Sequence, residues 1–316
     1  MINRRFILST PLAAAAAALL GTGPARAADY PTRSIEIIVP FGAGGGTDAL
    51  ARAFADVARK HMTQPFVVNN KPGASGVIGW SDVVNAKPDG YKLALMTVEL
   101  TILPHLGLSK FGVEEFTPIA RMNADPAAIT VKGDAPWNTI EEFIAAARKG
   151  NGEMKVGNAG NGSIWHLAAA SVEDKTGAKF SHIPYQGAAP AVLSLLGGHI
   201  DAVAVSPAEV APHLASGKLK MLGVMADQRL KAFDKVPTLK ERGIDVSLCA
   251  PKGTPKEVID VLKDVAQKTM NEPQMREAMD KLALGYAYGD ETAFKATMAR
   301  DNDNFKALIP NLNLKP

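Results

Sequence analysis

Four glycines, Gly42, Gly44, Gly45 and Gly46, crowd between an apolar run, Ile37-Ile38-Val39-Pro40, and a helix-like start at Thr47-Asp48. Strand, tight loop and helix in that order make an anion-binding mouth. Glycines let several backbone N–H groups converge without Cβ interference. The first helical turn adds free N–H groups and a favourable dipole. The chemistry expected is capture of a carboxylate; a plain tight turn is the competing reading. Phosphate loops fit badly. A Walker A loop wants Lys then Ser/Thr after its last glycine, where this chain has Thr47-Asp48. A dinucleotide fingerprint starting at Gly42 wants Gly or Ala in place of Thr47. Its downstream acidic residue is also missing, because Phe66-Val67-Val68 ends in Asn69-Asn70.

A second loop, Gly157-Asn158-Ala159-Gly160-Asn161-Gly162-Ser163, repeats the theme between Met154-Lys155-Val156 and a helical pattern through Ile164, Leu167 and Val172. Thr47 and Ser163 each stand where a glycine loop becomes a helix. Each is expected to offer a hydroxyl and a nearby N–H to one carboxylate from opposite lobes, or else to serve only as an N-cap. Glu99 follows the buried-looking strand Leu93-Ala94-Leu95-Met96 on the rim shared with the first loop. A carboxylate there repels a bound dianion once water is excluded. If Glu99 faces the cavity, the solute should bring it an ammonium, amide, hydroxyl or ring N–H. The alternative is that Glu99 faces a helix N-terminus or a Lys/Arg.

Enzyme chemistry finds little support. The six histidines form no His-Glu-x-x-His, and no Gly-x-Ser-x-Gly elbow occurs. His166 lies one turn from Ser163, but no acid is placed to orient the pair, so His166 reads as a packing residue. Glu99, Asp48, His166 and Asp201 have no metal-ligand spacing. Trp165 adjoins the second loop and either shields a ligand or packs in the core. Cys249, the single cysteine, excludes an intrachain disulfide and reads as a core residue.

The elements that position these loops alternate. Strands are expected at Ile35–Pro40, Pro65–Val68 and Tyr91–Thr97, then at 154–156, 181–184, 200–205, 220–224 and 246–250, with helices between them. That pattern predicts an α/β fold of two lobes with parallel strands and a cleft between facing rims. Thr139 and Glu142 form a capping box. Thr254-Pro255-Lys256-Glu257 reads as a helix start with Thr254 as N-cap, Pro255 at N1 and Glu257 at N3. The expected division is 1–27 export signal, 28–125 first lobe, 126–229 second lobe, and 230–316 return to the first lobe with C-terminal helices.

The chain opens Met1-Ile2-Asn3-Arg4-Arg5, continues through an alanine-rich apolar run and reaches Ala25-Arg26-Ala27. This is the pattern of a bacterial export signal cleaved near Ala27/Ala28, through the general route or, given Arg4-Arg5, the twin-arginine route. The whole chain carries 35 basic and 32 acidic residues; removing Arg4, Arg5 and Arg26 leaves them equal. Near-neutrality argues against a nucleic-acid partner.

Val39-Pro40-Phe41-x-x-Gly44-Gly45-x-Thr47-Asp48 resembles the first ligand loop of the tripartite tricarboxylate transporter receptors, or Bug-type solute-binding proteins. Asn70-Lys71-Pro72-Gly73-Ala74-x-Gly76, Pro88-Asp89-Gly90-Tyr91, Gly160-x-Gly162-Ser163-x-x-His166-Leu167 and Pro184-Tyr185-x-Gly187-x-x-Pro190-Ala191 also match. Leu196-Gly197-Gly198-x-Ile200-Asp201, Pro237-Thr238 and Ala250-Pro251-x-Gly253-Thr254-Pro255 extend the match over the mature chain. The resemblance implies a periplasmic, type II-like Venus flytrap: a monomer without cofactor that delivers a small carboxylate to a permease of one large and one small subunit. It implies ligand contacts at Phe41, Ala43, Gly45, Thr47 and Asp48, facing Asn158, Gly160, Asn161 and Ser163, with Gln186, Gly187, Ala188 and Ser206 on the rim. Glu99 is unexpected in that pattern, and Val205-Ser206 are smaller than the usual residues there. The competing function is a hydrolase or other enzyme acting on a small carboxylate derivative in the same cleft.

Overall fold

The computed structural model describes residues 30–226, 229–239 and 244–311. The expected export segment lies outside the described residues. The first sheet begins with β1 (Ile35–Val39), α1 (Gly46–Ala58), β2 (Phe66–Asn70), α2 (Val77–Val84) and β3 (Lys92–Thr97), followed by β4 (Phe116–Asp125). β1 is apolar and buried at every position but Glu36, as suits a strand covered on both faces. It pairs in parallel with β2 and with β3.

After Pro126 the chain starts a second sheet. Its elements are β5 (Ala127–Lys132), α3 (Ile140–Lys149), β6 (Lys155–Asn158), α4 (Ile164–Thr176), β7 (Ser181–Pro184), α5 (Ala188–Leu196), β8 (Ala202–Val205), α6 (Pro207–Ala215) and β9 (Leu219–Met225). The strand order is β7-β6-β8-β5-β9, with β6 parallel to β7 and β8. The capping box at α3 is formed as the sequence predicts: Thr139 Oγ1 accepts the Glu142 N–H, and Glu142 accepts the Thr139 N–H.

The chain then returns. β10 (Ile244–Pro251) inserts antiparallel between β3 and β4, and α7 (Lys256–Asn271), α8 (Pro273–Lys281), β11 (Tyr286–Gly289) and α9 (Glu291–Leu308) follow. The completed first sheet has the order β11-β4-β10-β3-β1-β2. Thus β4 leads out of this sheet and β10 leads back beside it, so two segments join the lobes side by side.

Each lobe has its own core. Leu50, Phe54 and Val57 of α1 pack with Leu262, Met270 and Met279 of the returning helices. Phe143, Val156, Leu195 and Val203 centre the second lobe. Burying a side chain of this size contributes about 1.5–3 kcal/mol, enough for each lobe to hold its loops rigidly.

Two expectations fail locally. Thr254 does not cap α7: the N-cap is Pro255, and the Thr254 hydroxyl donates instead to the Pro251 carbonyl at 2.8 Å. An extra edge strand, β11, pairs with β4 where the sequence suggested only a connection between helices. Cys249 lies in β10, opposite Ala94, as part of the returning strand.

Candidate functional site

The first glycine loop is shaped by Asp48. Its carboxylate accepts the Gly44 N–H at 2.9 Å, Arg52 Nε at 3.0 Å and Asn70 Nδ2 at 3.0 Å. Gly44 has φ +86°, which a side chain would strain. Asn70 also donates to the Phe41 carbonyl, tying the end of β2 to the loop. Burial opposes the charge on Asp48, yet the bonds from Arg52, Gly44 and Asn70 hold its pKa below the usual carboxylate range. The N-cap of α1 is Gly45, which has no side chain to close the first turn.

The second loop is shaped by Asn158, Ser163 and His166. Asn158 Oδ1 accepts the Gly160 N–H, while its buried Nδ2 has no partner among the described residues. Ser163 is the N-cap of α4 and accepts the His166 N–H at 3.2 Å. His166 Nδ1 accepts the Gly162 N–H at 3.1 Å, and the ring meets His182 edge-on at 4.7 Å. Burial first, and the neighbouring His182 second, push the His166 pKa down to about 4. His166 is therefore a neutral loop-holding residue. Its Nδ1 is engaged, so it is a poor partner for a nucleophile.

The two loops meet over a cavity of about 40 Å³, room for a few water molecules. Of the residues expected at the site, Phe41, Gly45, Thr47, Asp48, Glu99, Ala188 and Ser206 line this cavity. Gly160, Asn161 and Gln186 line an adjoining groove with Phe41 and Ser75. Ala43, Asn158, Ser163 and Gly187 line neither; the last three shape the loops that do. Trp165 lines the cavity and packs in the second core. The sequence reading missed Thr97, Asp125 and Glu209, which also line it. Ser206-x-x-Glu209 is a capping-box signature that could have drawn attention to Glu209. That box is formed and starts α6 at Pro207.

The two alternatives for Glu99 are both realised. It lines the cavity, and its Oε1 accepts the Ile164 N–H at the start of α4 in the other lobe, at 3.1 Å. Thr97 Oγ1 donates to the second oxygen. Burial raises the Glu99 pKa against those bonds. Glu209 does the same in the opposite direction. From the second lobe its Oε1 accepts the Gly46 N–H at the start of α1, at 3.4 Å, and its Oε2 accepts the Ser206 N–H at 2.9 Å. Burial drives its pKa up to about 7, against the bonds from Ser206 and Gly46, and nearby Asp125 adds to the rise. Two further bonds cross the cleft: the Gly42 N–H to the Gln186 carbonyl at 3.0 Å, and Ser75 Oγ to the Asn161 carbonyl at 2.5 Å. The lobes are closed on each other.

Among the described residues, no group of three or more His, Cys, Asp or Glu side chains could hold a metal ion. No helix among them is long and apolar enough to cross a membrane. What the cavity offers is hydrogen bonding: helix-start N–H groups, the Thr47 hydroxyl and carboxylates.

A family profile described as "Tripartite tricarboxylate transporter family receptor" matches residues 50–314. The chain is 36% identical to a Cupriavidus necator protein, "UPF0065 protein in gbd 5'region", over 99% of each chain. Among solved structures, a TctC solute binding protein from Polaromonas with no ligand is 56% identical; 89% of this chain and 99% of that one superpose with a TM-score of 0.65. The periplasmic binding protein BugD is 31% identical, and 90% of this chain and 99% of that one superpose with a TM-score of 0.87.

Proposed function

Since the chain belongs to the tripartite tricarboxylate transporter family of receptors, we propose that its two glycine loops grip a carboxylate of the solute between lobes that close on it. The protein is a periplasmic solute-binding receptor that hands a small carboxylate metabolite to a membrane transporter of that family. The observation that carries the proposed grip is the convergence of two helix starts, those of α1 and α4, on one small cavity from opposite lobes. In a site closed to water, charge-assisted bonds from such N–H groups are strong and need no cation. The Thr47 hydroxyl, the Thr47 and Asp48 N–H groups at the start of α1 and the Trp165 N–H are the donors we assign to the solute.

Movement between the lobes has separate support. The Polaromonas chain is the more similar in sequence yet fits less well than BugD. Sequence divergence would give the reverse order, whereas a different angle between two lobes would give this one. The lobes we assign are 28–125 with 230–316, and 126–229. We further propose cleavage near Ala28, action as a monomer, and delivery to a permease with one large and one small subunit.

Mass spectrometry of the solute carried through gentle purification, followed by calorimetry on that compound, tests the reading. A small carboxylate bound with one-to-one stoichiometry is expected. Recovery of a solute with no carboxylate, bound in this cleft, would overturn the proposed grip.

A further inference from the structure

The cavity that would hold the solute is rich in protein carboxylates. Asp48, Glu99, Asp125 and Glu209 all line it, and among the described residues no Lys, Arg or His does. Asp48 is satisfied by Arg52, Gly44 and Asn70. Asp125 accepts from the Gly285 N–H at 2.7 Å and from Asn123 Nδ2 at 2.6 Å. Glu99 and Glu209 differ from these two, because each reaches across the cleft. Glu99 takes the first N–H of α4 and Glu209 the first N–H of α1. Both helix starts that suit an anion are thus partly taken by an anion of the protein itself.

Resting on the receptor reading above, we propose that Glu99 and Glu209 set the specificity of the cleft, selecting a compact solute that carries an ammonium group as well as a carboxylate over a plain dicarboxylate. One solute carboxylate still finds donors: among the described residues, the N–H groups of Thr47, Asp48 and Trp165 have no acceptor, and the Thr47 hydroxyl lines the cavity. A second solute carboxylate would meet Glu99 and Glu209 in a space holding only a few waters. Like charges in a poorly hydrated space repel strongly, whereas an ammonium there is paired from both lobes at once. Burial already disfavours the charge on Glu99 and Glu209, and a cation would restore it.

The test uses matched pairs of probes on the mature chain, by calorimetry at pH 8: 3-aminopropanoate against succinate, and 4-aminobutyrate against glutarate. Within each pair an ammonium replaces one carboxylate on a similar skeleton. The amino acid of at least one pair should bind at least ten-fold more tightly than its diacid. Glu99→Gln and Glu209→Gln should each cut that preference at least ten-fold, weakening the amino acid and tightening the diacid. Thermal melts and the conservative Glu→Gln change, which keeps an acceptor for the helix N–H, separate this from a folding defect. A wild-type preference for the diacids, or one ranking in all three proteins, would overturn the inference and leave the receptor reading standing. Binding of none of the four probes would overturn it too, and the receptor reading would then rest on the recovered solute alone.

Discussion

Replacing Asp48 by alanine should damage the first loop before it damages any contact with the solute. The side chain is almost fully buried, while its partner Arg52 is 53% exposed. Arg52 therefore returns to water on truncation, and its ion pair contributes no more than about 1 kcal/mol. The Gly44 N–H loses its acceptor, and Asn70 keeps the Phe41 carbonyl but loses the carboxylate. A stranded, partly buried donor costs about 1–3 kcal/mol, so the total should be about 3 kcal/mol. For a chain of this size that lowers Tm by roughly 5 °C. The pH dependence has a definite sign. The folded pKa of Asp48 lies below its ordinary value, so its stabilisation is complete above about pH 4 and is lost as pH falls through the lower folded value. The gap in Tm between wild type and Asp48→Ala should therefore close in acid. Calorimetric melts from pH 2 to 8, with solute titrations beside them, check this. An unaltered melt combined with a ten-fold loss of affinity would refute the reasoning and make Asp48 a direct contact.

Thr47→Val should weaken solute binding, by about 1–3 kcal/mol if a bond to the carboxylate is left unmade, with little change in Tm. Ser163→Ala should instead cost about 1 kcal/mol of stability, because its hydroxyl caps α4; paired titrations and melts separate the two. Stability of the solute-free protein should fall as pH rises from about 4.5 to about 7, because Glu209 keeps its proton longer folded than unfolded; Glu209→Gln should flatten that slope in denaturant melts. Gly187→Ala should hinder closure, since φ is +121° there and an added Cβ would sit 3.1 Å from the Gly42 nitrogen across the cleft. Small-angle scattering of that variant should show no compaction with solute, and wild type should show it.

Much of this arrangement is legible without coordinates. Ile35–Val39 announces a buried strand because four of its five residues are apolar and three of them are consecutive, and Thr139 with Glu142 announces a helix start because the bonds it needs are local. What depends on distant residues is harder to read. β11 is four residues at a sheet edge, Tyr-Ala-Tyr-Gly, and only pairing with β4 makes it a strand. Thr254 looks like a cap until Pro251 offers its hydroxyl another acceptor. Glu209 reads as one more helix residue, and its reach to Gly46 depends on how the two lobes face each other.

That facing geometry also explains why closure can be coupled to the solute. A solute that made equal contacts with open and closed forms could not drive the lobes together. Here the donors belong to different lobes: Thr47 to one, Trp165 to the other. In the proposed grip they meet one solute group only when the cleft is shut. Shutting it without a solute brings Glu99 and Glu209 into the same small space as Asp125, and each gains one N–H from the facing lobe in return. Burial still disfavours their charges, so closure without a solute is burdened by the protein's own carboxylates. A solute with a matching charge relieves that burden only in the closed form. The preference for closure and the preference among solutes then arise from the same two glutamates.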